Sequence, residues 1–144
     1  MPDLDHPRPP RAAWPARLLA AASAAYACVL AWATHHPKPE DLLGRNPPSD
    51  KLVHVGAYTV LAALVAATLA AAGRLSPRGM RIAAVSLAAF AVVDEATQPL
   101  PWFRRTADPL DWIFDVVGIA IGMAAVAGLV ALMRRRARCS DGRQ

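Results

Sequence analysis

Four apolar runs, Trp14 to Thr34, Leu52 to Gly73, Met80 to about Gln98 and Leu110 to Met133, constrain this chain more than any other feature in it. At roughly 1.5 Å of rise per residue, each is long enough to cross a hydrocarbon core about 30 Å thick. The expected fold is all-α: an integral membrane bundle of four transmembrane helices over residues 14–34, 52–73, 80–98 and 110–133, filling a single domain, 14–133. The third run has the shortest unbroken apolar stretch, ending at Val93, so it spans only if Asp94 and Glu95 are buried within protein. Alanine, leucine and valine carry the apolarity, and 144 residues with 55% hydrophobic side chains leave no room for a second folded unit.

Between the runs, residues 35–49 hold Pro37, Pro39, Pro47 and Pro48 and read as an irregular loop. Arg74 to Gly79 reads as a short turn with Pro77 inside it, and Pro99 to Pro109 as a third connection with an arginine pair. Orientation follows from the basic residues. Arg8, Arg11, Arg17, Arg74, Arg78, Arg81, Arg134, Arg135, Arg136, Arg138 and Arg143 fall on one side, against Lys38, Arg45, Lys51, Arg104 and Arg105 on the other. The positive-inside rule then places the N-terminal segment 1–13 and the basic tail 134–144 in the cytoplasm of a plasma-membrane protein. A second reading of the first run, as a secretory signal cleaved near Ala31-Trp32-Ala33, leaves the other three helices oriented in the same way.

The net charge of +5 is thus a topology signal, and nucleic acid is not an expected partner. Cys28 and Cys139 fall at different levels of the membrane, which disfavours a disulfide. No Cys/His ligand spacing, glycine-rich phosphate loop or nucleophile elbow occurs, so no cofactor is expected; a metal held by His54 and carboxylates, a ligand set that suits magnesium, manganese or zinc, is disfavoured because no fixed ligand spacing supports it.

What remains is a small set of polar residues in costly places. With the orientation above, Glu95 lies about 21 Å out from Arg81, Asp115 about 27 Å out from Met133, and His54 about 30 Å out from Arg74, with Lys51 and Asp111 a turn beyond. Three helices thus deliver acids, a base and an imidazole to one outer-leaflet layer about 10 Å thick. Asp111, Asp115, Gly118 and Gly122 form one helical stripe, Lys51, His54 and Tyr58 another, and Glu95 with Gln98 a third. The Gly118 and Gly122 pair makes a groove for close helix approach, which turns the acidic stripe into the bundle. Asp94 points about 100° away from Glu95 and is expected to cap or pair outside the layer.

Each group also has a structural explanation. Asp50 fits a helix N-cap with Lys51 snorkelling to the headgroups, Asp108 an N-cap before Pro109, and Glu95 a buried pair with Lys51 or Arg105.

The stretch Asp50-Lys51-Leu52-Val53-His54-Val55-Gly56-Ala57-Tyr58 resembles the Asp-Lys-x-x-His-phenylalanine element of VanZ-like membrane proteins. Glu95-Ala96-Thr97-Gln98 resembles that family's Glu-x-x-Gln, Arg105 its loop arginine, and Asp111 to Gly122 its Asp-x-x-x-Asn-x-x-Gly-x-x-x-Gly. Two departures stand out: Asp115 takes the place of the family's asparagine, and Arg104 competes with Arg105 for the arginine. The resemblance covers about half the chain. It implies a multi-spanning envelope protein, some of whose relatives lower sensitivity to teicoplanin-type glycopeptides, and it brings no agreed chemical mechanism.

Two functional classes follow. In one, the layer binds or modifies an envelope lipid or lipid-linked precursor: His54, Glu95 and Asp111 are the candidate catalytic groups, and Lys51, Gln98, Arg104, Arg105 and Asp115 the candidate substrate-binding groups. In the other, the same residues are a structural network in a scaffold or binding protein without turnover. Ion movement is disfavoured, because no polar relay continues to the cytoplasmic side. Oligomeric state is not legible.

Overall fold

A computed structural model describes residues 13–36, 49–102 and 108–141. The described residues form four α-helices: α1 (Trp14–Thr34), α2 (Asp50–Ala71), α3 (Pro77–Thr97) and α4 (Pro109–Asp141). Of these, α1, α2 and α4 are long and apolar enough to cross a membrane, which points to a membrane protein. The third falls short because Arg78 and Arg81 occupy its first turns and Asp94 and Glu95 its last, leaving twelve apolar or small residues, Ile82 to Val93, about 18 Å of helix.

Helix boundaries shift from the expected ones for local reasons. Pro77 does not lie in the turn: it is the first residue of α3, with Ser76 as N-cap accepting a hydrogen bond from the Gly79 N–H at 3.1 Å. Proline loses nothing at that position, since its missing N–H would have no helical partner. The preceding helix stops at Ala71 because Gly73, at φ 69°, takes the left-handed conformation and lets the Arg74 N–H reach back to Leu69 O at 2.7 Å. At its start, Ser49 holds the N-cap position and Asp50 lies in the first turn, where its charge suits the helix dipole; Asp50 is therefore not the cap. The last helix runs past Met133 to Asp141, carrying Arg134, Arg135, Arg136 and Arg138 of the expected tail as helix.

Packing is organised around α2. It runs parallel to α4 in close register: Lys51 lies opposite Asp111, His54 opposite Asp115 and Thr59 opposite Gly118. Glycine makes this approach possible. A Cβ on Gly118 would sit 2.5 Å from the Val55 carbonyl oxygen, and one on Gly122 would collide with that of Thr59. The other side of α2 receives α1, where Tyr26 donates to Ala57 O at 3.2 Å and Ser23 meets Thr68 at 3.4 Å. The third helix returns antiparallel to α4, and Trp112 donates to Ala88 O at 3.3 Å. Between the helices lies a core of Tyr58, Leu61, Ala62, Leu87, Ala91 and Ile119. Outward-facing Leu18, Val29, Val60, Val85 and Leu132 leave the periphery apolar.

Candidate functional site

The parallel register of α2 and α4 sets the stripe of Lys51 and His54 against the acidic stripe of Asp111 and Asp115 at one end of the bundle. His54 and Asp115 are the deepest pair, with Nδ1 2.8 Å from Asp115 Oδ1 and side chains 5% and 1% exposed. One turn outward, Lys51 Nζ lies 3.0 Å from both Asp111 Oδ1 and Asp108 Oδ2, with its ammonium 5.6 Å from the Phe114 ring centre. The second oxygen of Asp111 faces His54 Nε2 at 3.8 Å, too long for a hydrogen bond. Asp50 completes the outer rim: one ligand atom from each of Asp50, His54 and Asp111 falls within 4.8 Å of the others.

The end of α3 enters from the side. Glu95 is buried and held by two donors, the Gln98 side-chain amide at 2.9 Å and the backbone N–H of Asp108 at 2.8 Å. It does not pair with Lys51, which engages Asp108 and Asp111 instead. Asp108 thus joins three parts of the layer: its N–H binds Glu95, one carboxylate oxygen binds Lys51, and the other accepts from the Leu110 N–H at 2.9 Å, capping α4 before Pro109. The Leu110 N–H and then the Lys51 ammonium hold the Asp108 carboxyl below the usual carboxylate range.

Asp94 belongs to a second cluster, between α1 and α3. The Thr34 hydroxyl donates to its Oδ1 at 3.0 Å, His35 Nδ1 lies 3.6 Å away, and His35 Nε2 meets the Thr97 hydroxyl at 2.8 Å. Tyr58 stands between the two clusters. Its hydroxyl is fully buried and has no hydrogen-bond partner among the described residues.

Of the expected site residues, Lys51, His54, Glu95, Gln98, Asp111 and Asp115 converge on one layer; Arg104 and Arg105 lie outside the described residues. The pairing differs from the expected one: the hydrogen-bonded partner of His54 is Asp115, rather than Glu95 or Asp111. Asp108 and Asp50 were not expected in the site. Both left a signal, Asp108 by its place before a helix-starting proline and Asp50 by its i, i+4 spacing to His54. Chemically, the layer offers a fixed cation, an imidazole with one committed nitrogen, and an excess of carboxylates.

No protein-family model, no curated protein and no solved structure matches the chain.

Proposed function

We propose that the chain is a VanZ-like plasma-membrane protein of the cell envelope that binds or modifies the headgroup of an envelope lipid or lipid-linked precursor, lowering sensitivity to teicoplanin-type glycopeptides. In this reading α3 is a fourth span, its buried acids satisfied by protein, and both termini lie in the cytoplasm. The polar layer then sits in the outer leaflet, where such headgroups are exposed. The observation that carries the proposal is the convergence of Lys51, His54, Glu95, Asp111 and Asp115 at one end of an otherwise apolar bundle. Charged groups at that depth are costly, and function is the usual reason they are retained. Lys51 supplies a phosphate-binding charge, and His54 with Asp111 supplies proton transfer.

The test is a pair of substitutions, His54→Ala and Glu95→Gln, in a strain whose teicoplanin sensitivity depends on the protein. The expected result is full loss of protection with unchanged abundance in the membrane; protection that survives both changes refutes a chemical role. Reporter fusions after Pro48 and after Arg143 are expected outside and inside respectively. The reverse pattern moves the layer to the cytoplasmic face.

A second reading, a non-catalytic scaffold, draws support from one specific observation: Glu95, Asp111 and Asp115 each already bind a donor within the chain. Under it, Glu95→Gln lowers stability in detergent as much as it lowers protection. An acting site instead loses protection and keeps its fold.

A further inference from the structure

We propose that Asp50, His54 and Asp111 bind one divalent first-row metal ion of the zinc class at the polar end of α2 and α4. The inference does not rest on the envelope reading above, because it concerns a binding event measurable on the protein alone.

Geometry is the first ground. The three ligand atoms lie within 4.8 Å of one another, and His54 Nε2 and Asp111 Oδ2 are 3.8 Å apart. Two ligands on a tetrahedral ion with bonds of about 2.0–2.2 Å stand about 3.4 Å apart, so a small side-chain adjustment brings the His54 and Asp111 pair to ligand spacing. Asp50 is exposed and sits four residues before His54, on the same face of α2, so it can rotate onto the ion. Its exposure also gives the ion an entry path.

The second ground is how the ligands are held. His54 is buried, yet Nε2 has no hydrogen bond among the described residues, while Nδ1 is committed to Asp115 at 2.8 Å. A carboxylate on one imidazole nitrogen is how proteins orient metal-binding histidines, and here the other nitrogen faces a second candidate ligand, Asp111. Asp111 shows the same division: Oδ1 is held by Lys51 and Oδ2 is turned to His54. Both buried ligands therefore have one atom anchored and one presented.

Charge is the third. Asp108 and Asp111 both engage Lys51, the one permanent cation of the layer among the described residues, which leaves the carboxylates of Asp50, Glu95 and Asp115 in excess. A divalent ion offsets part of that excess. One imidazole and two carboxylates suit zinc or manganese, and three protein ligands leave a position open for water or a headgroup oxygen.

The full chain, purified in detergent and stripped with chelator, is to be titrated with Zn²⁺ by calorimetry and with Co²⁺ by visible absorption. The expected result is one ion per chain and a cobalt spectrum of low coordination number. Affinity is expected to fall at least 100-fold in His54→Ala, at least 10-fold in Asp50→Asn and about 10- to 100-fold in Asp115→Asn. If His54→Ala does not fold, Asp50→Asn decides, because that side chain is exposed and outside the core. Absence of stoichiometric binding by the wild type, or an affinity unchanged in Asp50→Asn, overturns the proposal.

Discussion

Asp94 and Glu95 are neighbours in sequence, buried to the same degree, and opposite in how they are satisfied. Asp94 turns to α1 and is held by a threonine hydroxyl and a nearby imidazole, both at the C-terminal end of that helix. Glu95, about 100° around the helix, turns to the junction with α4 and is held by an amide and a backbone N–H within a layer that also contains a lysine, a histidine and four further aspartates. The first cluster is a clamp of short local donors. The second is an accumulation of charge drawn from three segments, and its stability depends on ion balance where that of the clamp depends on fit.

That contrast is open to direct challenge. The largest expected effect comes from Asp115→Ala, which strips His54 of its partner inside the bundle and is expected to cost about 3–5 kcal/mol in unfolding titrations in mild detergent. A cost below about 1 kcal/mol, the worth of an ordinary interhelical hydrogen bond, would place the charged layer in the same class as the clamp. Next, Gly122→Val drives a side chain into the Thr59 carbonyl and is expected to destabilise by about 1–3 kcal/mol, uncoupling His54 from Asp115 while the contact of Thr34 with Asp94 persists. Cross-linking of cysteine pairs across each cluster separates the two outcomes.

Smaller again is Thr34→Val, which keeps the shape and removes the donor to Asp94, with an expected cost of about 0.6–1 kcal/mol. The smallest effect is a pH dependence at the rim. The Asp108 carboxyl titrates lower in the folded chain than in the unfolded one, so its contribution is complete above the ordinary carboxylate pKa of about 4 and is lost as pH falls through the lowered folded value. Melting curves of wild type and Asp108→Asn are expected to differ slightly at neutral pH and to converge in acid. A gap that widens toward low pH contradicts this assignment.

How much of this was legible in the sequence divides along the same line. Helical periodicity is local, so the stripes of Lys51 with His54 and of Asp111 with Asp115 could be read directly, as could the divergence of Asp94 from Glu95. Which stripe meets which is a tertiary fact. Nothing local pairs His54 with Asp115 in preference to Asp111, because the choice is set by how far the Gly118 and Gly122 groove lets α4 slide along α2. The Thr34 and His35 partners of Asp94 were invisible for the same reason: they lie some sixty residues away on α1. The start of α3 at Pro77 was legible and misread, since a proline after a serine signals a helix start as readily as a turn.

One contact has a bearing on how the protein tolerates change. The Asp108 group that grips Glu95 is the backbone N–H, which every residue except proline supplies. Alanine scanning at position 108 removes the link to Lys51 and the cap on Leu110 but leaves the link to Glu95 intact. The chain can therefore drift in sequence at that position and keep α3 tied to α4, so variation there is a poor guide to whether the tie matters.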